Sequence, residues 1–285
     1  MNIKKLFVTK YDGTKQLFNR EKIIKTCIRL GASREISEEI AKKIEMNIYN
    51  EIETKKVLKM IFRQVSKYKP VIKHIISLRA SLSLLKSRPD FEQYIQILLS
   101  EYGYEVTPNQ IVKGKCVEHE VDAIVGKNGE TYIVEVKHHR NFHARTGLDE
   151  TRIARAILED VNEGFELGLN DLKIDKAMIV CNTKYSEHAK RYAECRGIPQ
   201  IGWSSPPYGG LQTLIEEKKL YPITYLKGLK TADSEKLTAV GIILLRQLTE
   251  MRLEELVKTT GISKKLLELT IEKAKTILAG DSIPE

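Results

Sequence analysis

The sequence predicts a mixed α/β fold in which a central sheet lies between two mainly helical regions. Residues 116–137 alternate apolar and polar side chains on both sides of Asn128-Gly129, a pattern typical of two strands joined by a tight turn. The flanking segments instead repeat apolar residues at helical spacing. The charge divides the chain in the same way, with net charges of +13, −5 and +1 in residues 1–88, 89–222 and 223–285. We therefore predict three domains with these bounds.

The first region is predicted to open with two short strands and then to become helical. In residues 8–23, V-T-K-Y-D-G-T-K-Q-L-F-N-R-E-K-I, Asp12-Gly13 predicts a turn and Asn19 predicts a helix N-cap. This region holds 21 Lys and Arg against 8 Asp and Glu, an excess beyond what solubility requires, so phosphate groups are the expected partner. Helices are predicted near residues 20–30, 36–48, 54–67 and 72–86.

The opening motif closely resembles the ATP-cone, a small regulatory domain that binds nucleotides, over about residues 3–86. The resemblance implies that ATP or dATP binds as an effector. The positions implied to contact the nucleotide are Lys10, Asn19, Lys22 and Thr54. An alternative interpretation is a basic helical cap that binds DNA or the neighbouring domain.

A break is predicted at residues 87–90, S-R-P-D, because proline disfavours a helix in the residue before it and Asp90 can cap the helix that follows. Residues 91–102 then predict a helix with one apolar face. The residues of this face are Phe91, Tyr94, Ile95, Leu98, Leu99 and Tyr102.

The hairpin in residues 116–137 is predicted to have a fixed register. With Asn128 and Gly129 in a two-residue type I′ turn, Lys127 faces Glu130, and every later pair follows from this one. One face of the hairpin is apolar and must be buried, which excludes a shifted register. Its residues are Val121, Ala123, Val125, Tyr132, Val134 and Val136.

The same register predicts that acidic side chains are brought together. It sets Asp122 opposite Glu135 and Glu120 opposite Lys137, with Cβ atoms about 4.5–5.5 Å apart. Two facing carboxylates are unfavourable unless one is protonated or a cation lies between them, and oxygen ligands suit Mg²⁺ or Mn²⁺. We therefore predict that Asp122 and Glu135 bind a metal ion beside Lys137. The alternative is a solvated strand face in which Glu120 pairs with Lys137.

An Asp followed by a hairpin turn and then by Glu-x-Lys on an apolar strand resembles the PD-(D/E)xK nuclease motif. Residues 91–106, with E-H-E-V-D and I-V-E-V-K after them, resemble the endonuclease domain of the Mrr restriction family, and the resemblance covers about residues 89–203. It implies a restriction-endonuclease-like core that hydrolyses DNA with Mg²⁺ or Mn²⁺. In that family the residues that match Asp122 and Glu135 bind the metal ion. The residue that matches Lys137 orients the attacking water or stabilises the phosphorane, and the residue that matches Glu92 assists.

Glu92 also has a simpler interpretation, as an acidic residue that stabilises the first turn of its helix. The remaining elements of this region are predicted as strand 104–112, helix 149–167, strand 176–182, helix 185–196 and strand 199–203. The apolar face of helix 149–167 covers the sheet, which leaves Arg145 and Arg152 available for phosphate groups.

After Pro222 the chain is again predicted to be helical. Residues 256–269, L-V-K-T-T-G-I-S-K-K-L-L-E-L, resemble a helix-hairpin-helix unit, which binds the DNA backbone through amides at a helix N-terminus. The residues implied to contact DNA are Gly261, Ser263, Lys264 and Lys265. A helical dimerisation domain or a helix-turn-helix is the alternative. A homodimer is an expectation from the nuclease resemblance, because many such enzymes pair to cut both strands.

Composition excludes other classes of protein. No stretch approaches the roughly 20 apolar residues of a membrane span, and the first residues lack the core of a signal peptide. The 4 cysteines are scattered without a C-x-x-C pair, which is typical of reduced thiols, and their spacing with histidines matches no familiar zinc site. We therefore predict a cytoplasmic protein with no membrane partner.

Together these patterns predict a metal-dependent DNA endonuclease of the restriction or repair type that ATP or dATP regulates. A protein of another class is the alternative: a nucleotide-responsive DNA-binding regulator that does not turn over its substrate.

Overall fold

The computed structural model of the protein describes residues 6–279. Residues 1–5 and 280–285, at the outer ends of the first and third predicted domains, lie outside the described residues. The described chain forms two compact units. The first unit comprises residues 6–76, 226–229 and 264–279, and the second comprises residues 77–225 and 230–263.

The elements follow in chain order. The strands are β1 (Phe7–Thr9), β2 (Lys15–Leu17), β3 (Ile52–Glu53), β4 (Glu105–Lys113), β5 (Glu118–Lys127), β6 (Glu130–Lys137), β7 (Arg145–Thr146), β8 (Lys176–Cys181), β9 (Lys184–Tyr185) and β10 (Gln200–Ile201). The α-helices are α1 (Arg20–Arg29), α2 (Arg34–Glu45), α3 (Thr54–Tyr68), α4 (Leu78–Leu84), α5 (Glu92–Glu101), α6 (Leu148–Glu166), α7 (Glu187–Arg196), α8 (Leu211–Glu217), α9 (Thr231–Ala239), α10 (Leu245–Glu250), α11 (Leu253–Thr260) and α12 (Lys264–Ala279). A helix spanning Ser87–Phe91 and the 3₁₀-helices Pro70–His74 and Ile223–Tyr225 complete the set.

The first unit contains a three-stranded sheet in the order β2-β1-β3, in which β1 is antiparallel to β2 and parallel to β3. The predicted turn is confirmed: Gly13 has a φ of 78°, and Asp12 Oδ1 accepts a hydrogen bond of 3.0 Å from the amide of Thr14. The predicted N-cap is also confirmed, because Asn19 Oδ1 accepts a hydrogen bond of 2.9 Å from the amide of Glu21.

The helix predicted over residues 72–86 is not continuous. A 3₁₀-helix covers Pro70–His74, Ile75 is extended with φ −117° and ψ 159°, and α4 begins at Leu78. The interruption has a clear cause, because Ile75 forms an antiparallel bridge with Leu226 instead of an internal helical hydrogen bond. Within the same unit, α12 packs against the 3₁₀-helix and buries Leu267, Ala274 and Ile277.

The second unit is built on a five-stranded mixed sheet in the order β10-β8-β6-β5-β4. Strands β4, β5 and β6 are antiparallel neighbours, whereas β6, β8 and β10 are parallel. Helices α6 and α7 pack on the sheet through an apolar core that includes Leu158, Ala189, Ile133 and Ile179. This mixed α/β architecture confirms the fold class predicted for the central region.

The predicted hairpin turn is confirmed. Asn128 and Gly129 both have positive φ, 52° and 79°, and Lys127 pairs with Glu130. The six apolar residues predicted to be buried are all buried. The ladder between β5 and β6, however, ends at Ala123 and Val134.

The prediction that Asp122 and Glu135 are direct ladder partners is therefore wrong, as is the pairing of Glu120 with Lys137. The Asp122 carboxylate explains the change, because its Oδ2 accepts a hydrogen bond of 2.6 Å from the amide of Val136, a strand residue. Past the last ladder pair, Ala123 with Val134, the side chain of Asp122 thus replaces the backbone as the link between β5 and β6.

The helices after Pro222 are divided between the two units. Helices α9, α10 and α11 belong to the second unit, and α12 belongs to the first. None of the helices within residues 6–279 combines the length and the apolar character that crossing a bilayer requires.

Candidate active site

Four predicted residues lie on three neighbouring elements of the second unit. Asp122 lies on β5, Glu135 and Lys137 lie on β6, and Glu92 is the first residue of α5. The three carboxylates are buried, with exposed fractions of 5% for Asp122, 6% for Glu135 and 8% for Glu92. Buried charges are unfavourable unless cations or hydrogen-bond donors compensate them, so the contacts of these groups decide what the site can do.

Lys137 and the backbone compensate part of this negative charge. Lys137 Nζ lies 2.9 Å from Glu135 Oε2, and the amide of Val136 donates to Asp122. Gln96 Nε2 donates a hydrogen bond of 2.8 Å to the backbone oxygen of Asp122, which fixes the middle of β5 against α5. The lysine side chain is about one-third exposed, so its ammonium group lies at the edge of the site.

Arg88 supplies the remaining cation. Its Nε lies 2.7 Å from Glu92 Oε1, its Nη1 lies 3.0 Å from Glu120 Oε1, and its Nη2 lies 3.4 Å from Asp122 Oδ1. One guanidinium group therefore links three carboxylates from α5 and β5. Its side chain is 58% exposed, so the cation enters the acidic site from the solvent side.

The pKa values of Glu92 and Glu135 show that the neighbouring cations and donors compensate the buried negative charge only in part. Burial and, to a smaller extent, the charge of Asp122 raise the pKa of Glu92 to about 7 against the opposing charge of Arg88. Burial also raises the pKa of Glu135, and Lys137 is the main opposing charge. Additional positive charge at this position would therefore be favourable.

This donor set fits a hard divalent cation. The buried ligands are carboxylate oxygens, and Mg²⁺ is commonly held by one or two carboxylates together with water and substrate phosphate. Arg88 contacts Glu92, Glu120 and Asp122, and Lys137 contacts Glu135, so a cation of the chain already lies beside each of these carboxylates. Across residues 6–279, no three His, Cys, Asp or Glu side chains are already arranged as a metal site. The fit therefore rests on Asp122 and Glu135 as a two-carboxylate site with Glu92 beside it.

The predicted nucleotide contacts all lie in the first unit, and all four side chains are exposed. Lys10 follows β1, Lys22 lies in α1, and Thr54 is the first residue of α3. Asn19 uses its side-chain oxygen to cap α1. Within residues 6–279, the side chains of Lys10, Lys22 and Thr54 are thus accessible and stabilise no helix end, whereas the side chain of Asn19 caps α1.

The predicted DNA contacts are distributed over several elements. Arg145 lies on β7 and donates to the backbone oxygen of Tyr185 at 3.3 Å, and Arg152 lies on α6 at 3.5 Å from Asp149. Gly261 ends α11 with a φ of 62°. The other three residues are exposed at or next to the start of α12: Ser263, Lys264 and Lys265.

Sequence reasoning missed Arg88 and Gln96. Each contacts residues distant in the chain, since Arg88 is 34 positions from Asp122 and Gln96 is 26 positions from it. A local signal for Arg88 does exist, because it precedes Glu92 by four positions at the start of a helix. Gln96 lies one further turn along the same helix, on the side of Glu92.

Family models match two parts of this chain. The restriction endonuclease model (Mrr_cat) matches residues 86–201, which include the whole carboxylate site. The model of the C-terminal part of AF1548-like proteins matches residues 221–278. The match to the restriction endonuclease model supports a nuclease-like core, in agreement with the predicted motif.

Two similar proteins come from Archaeoglobus fulgidus. An uncharacterized protein of that organism is 38% identical over 182 residues, which is 64% of this chain and 98% of that protein. A second uncharacterized protein from it is 45% identical over 40 residues, 14% of this chain and 85% of that protein. The crystal structure of a protein of unknown function, AF1548, has 35% sequence identity and a TM-score of 0.57, and covers 66% of this chain and 97% of its own.

Proposed function

We propose that this chain, which belongs to the family of AF1548-like proteins, is a metal-dependent endonuclease that hydrolyses phosphodiester bonds in DNA. One observation supports this most strongly: three carboxylates converge on the guanidinium group of Arg88, those of Glu92 and Asp122 buried and that of Glu120 exposed. The buried Glu135 and its partner Lys137 lie on the neighbouring strand. A site with this demand for positive charge, inside a restriction-endonuclease-like domain, suits the binding of a cation and a phosphodiester.

In this proposal Asp122 and Glu135 hold Mg²⁺ or Mn²⁺. The ion, when bound, neutralises negative charge on the phosphoryl oxygens and polarises the attacking water. Lys137 orients the water or donates to a phosphoryl oxygen, and its contact of 2.9 Å with Glu135 fixes the position of the ammonium group. Glu92 assists, because a carboxyl group with a pKa of about 7 can accept and return a proton near neutral pH.

DNA nicking tests this proposal. Duplex, branched and single-stranded DNA are incubated with wild-type protein, with Lys137→Ala and with Lys115→Ala, in Mg²⁺ and in EDTA. We expect Mg²⁺-dependent cleavage that falls about 100-fold to 1,000-fold in Lys137→Ala. Lys115→Ala is the matched control, since the Lys115 side chain forms an exposed ion pair with Glu163, and it should cleave like wild type. Cleavage that survives Lys137→Ala would reject the mechanism, and binding without cleavage would favour a DNA-binding regulator.

We further propose that the basic first region, residues 1–88, binds ATP or dATP as an effector through Lys10, Asn19, Lys22 and Thr54. Isothermal titration calorimetry of the full chain with each nucleotide tests this. Lys22→Ala is expected to weaken binding, whereas Lys25→Ala, an exposed lysine of the same helix, should not. Asn19 is unsuitable as a test because it caps α1. A flat titration with wild-type protein would remove the effector from the proposal.

The proposed roles of the other regions are nuclease for residues 89–222 and DNA contact for residues 223–285. The residues proposed to contact DNA in the C-terminal region are Gly261, Ser263, Lys264 and Lys265, and Arg145 and Arg152 of the nuclease region would add further contacts. If Lys264 and Lys265 contact phosphates, their joint replacement by alanine should weaken DNA binding and lower its salt dependence by about two counterions. Replacing the exposed Lys275 in the same helix is the control.

We also infer a cytoplasmic homodimer with no membrane partner. The dimer allows two sites to cut both strands, and sedimentation velocity with and without duplex DNA measures it. A monomer under both conditions would contradict the dimer and leave the single-site chemistry unchanged.

A further inference from the structure

Arg79 of α4 has an unusual environment in the second unit. Its guanidinium carbon lies 5.6 Å from the ring centre of Phe142 and 5.7 Å from that of Trp203, so the cation contacts two aromatic rings. Its Nε is buried and has no hydrogen-bond partner among the described residues. A buried donor without a partner costs free energy, and native proteins keep few such groups, so this one calls for an explanation beyond stability.

The charge of Arg79 also lacks a counterion. Within residues 6–279 no carboxylate forms an ion pair with it, whereas Arg88 has three such partners. Burial, together with the positive charge of Arg145 and against the opposing effect of Cys181, lowers the pKa of Arg79 to about 10. The charge of Arg145 acts both on Arg79 and on Glu187 of α7, so the acid recorded at this pair of arginines lies beside Arg145, and an anion at Arg79 would be stabilised by both guanidinium groups.

The position of Arg79 relates this site to the sheet. Phe142 lies in the segment after β6, and Trp203 follows β10, where its amide donates a hydrogen bond of 2.8 Å to the backbone oxygen of Thr183 after β8. The rings around Arg79 thus come from the carboxyl ends of parallel strands, the edge at which open α/β sheets usually bind ligands. Lys137 is the last residue of β6 and pairs with Cys181 of β8 at the same edge.

The support behind this edge is rigid. Asn182 Oδ1 accepts a hydrogen bond of 2.9 Å from the amide of His139, and Asn182 Nδ2 donates one of 2.8 Å to the oxygen of the same residue. Thr146 and Thr183 are fully buried and their hydroxyl groups lie 2.9 Å apart. The segments that carry Phe142, Arg145 and Trp203 are therefore fixed to one another by buried polar contacts.

We infer that Arg79 and Arg145 form a binding site for a backbone phosphate of the DNA substrate. This site lies at the carboxyl ends of the parallel strands, where β6 ends at Lys137. A guanidinium group has planar donors that match phosphate oxygens, and the two rings hold that of Arg79 in place without consuming its donors. Nη1 of Arg145 donates to the backbone oxygen of Tyr185, which leaves further donors of this arginine for the same anion. The choice of DNA as the source of the phosphate rests on the proposed nuclease function.

The only tryptophan of the chain reports on this site, because Trp203 contacts Arg79. Full-length Lys137→Ala protein is titrated in EDTA with a short duplex oligonucleotide, and in a separate arm with inorganic phosphate, while tryptophan emission is recorded. Arg79→Gln is compared with Arg196→Gln in the same background. Arg196 is the matched control, because its guanidinium group also contacts a ring, that of Tyr192 at 5.8 Å, on the exposed end of α7.

We expect the oligonucleotide to change Trp203 emission saturably. Arg79→Gln should weaken binding about tenfold and lower its salt dependence by about one counterion, whereas Arg196→Gln should behave like its parent. Arg79→Lys keeps the charge but loses the planar donors, so intermediate affinity is expected even if Arg79→Gln folds poorly by circular dichroism.

Three outcomes would overturn the inference. They are unchanged affinity and salt dependence in both Arg79 variants, a response to inorganic phosphate but none to the oligonucleotide, and an equal loss in Arg196→Gln. Cleavage assays keep the two proposals separate. Wild-type protein that binds through Arg79 but does not cut DNA would reject the nuclease and retain the phosphate site, whereas cutting with unchanged affinity in Arg79→Gln would do the reverse.

Discussion

Two acidic sites in the second unit shift the pKa values of their carboxylates in opposite directions. Asp160 of α6 accepts hydrogen bonds from His119 at 2.8 Å and from the amides of Cys116 and Val117 at 2.9 and 3.4 Å. The hydrogen bond from His119 is the largest cause that lowers the pKa of Asp160 to about 2. At the carboxylate site of β5, β6 and α5, burial instead raises the pKa values of Glu92 and Glu135.

The difference separates a structural carboxylate from the carboxylates that we propose to be functional. Asp160 holds the connection between β4 and β5, and its neighbours satisfy its charge completely enough to favour the ionised form. The carboxylates near Arg88 retain a demand for positive charge that the chain meets only in part. Incomplete compensation of this kind is typical of sites that bind a ligand or perform chemistry, because stability alone would remove it.

The largest expected effect concerns cleavage. Asp122→Asn removes a proposed metal ligand and should lower the initial rate of DNA nicking in Mg²⁺ about 100-fold to 1,000-fold. Asp160→Asn should retain the wild-type rate at a temperature where both variants are folded. Equal loss in the two variants would break the distinction between the sites.

For thermal stability, Asp160→Asn should have a larger effect than Asp122→Asn, the reverse of their effects on cleavage. Asp160→Asn loses a charge-assisted contact with His119 and should lower the Tm by several degrees, since the connection between β4 and β5 loses its anchor. Asp122→Asn should leave the Tm in EDTA unchanged or raise it, because one buried negative charge is removed. Differential scanning calorimetry in EDTA measures both shifts, and a lower Tm for Asp122→Asn alone would contradict the comparison.

The pH dependence of stability should have opposite signs at the two sites. The pKa of Asp160 is lowered from 3.8, so its contribution is present above pH 3.8 and is lost as the pH falls toward about 2. The pKa of Glu92 is raised from 4.5, so its contribution is present below pH 4.5 and is lost as the pH rises through about 7. Urea unfolding in EDTA of wild type, Asp160→Asn and Glu92→Gln gives the two difference curves. Curves that change in the same direction would refute the assignment.

The smallest expected effect is on metal affinity. Arg88→Gln removes the cation that competes for Glu92 and Asp122, so Mn²⁺ should bind several-fold more tightly. Arg155→Gln is the control, because Arg155 pairs only with the exposed Glu159. Calorimetric titration with Mn²⁺ compares the variants, and weaker binding to Arg88→Gln would show that Arg88 helps to organise the site instead of competing for it.

Local chemistry explains which parts of the site were predictable. Asn128-Gly129 fixes the turn, the turn fixes the first pairs of the hairpin, and alternation then places Asp122, Glu135 and Lys137 on neighbouring strands. The end of the ladder was not predictable in this way. It depends on a hydrogen bond between a side chain and the backbone, for which neither strand has a pattern.

The complete environments of Arg88 and Arg79 could not be predicted, for a different reason. The neighbours that give each arginine its character come from distant parts of the chain, such as Glu120 for Arg88 and Trp203 for Arg79. A basic residue in a helix has the same local pattern whether it meets three acids or none. Only the assembled sheet distinguishes the two environments.

The route of the chain has a consequence for protein engineering. The first unit takes its last helix, α12, from residues that follow the whole second unit in sequence. Cutting the gene after residue 88 would therefore separate the 3₁₀-helix Pro70–His74 from the helix that packs against it. Transplanting either unit into another protein requires more than one junction, because the chain passes between the units four times, and evolution by simple fusion or truncation faces the same obstacle.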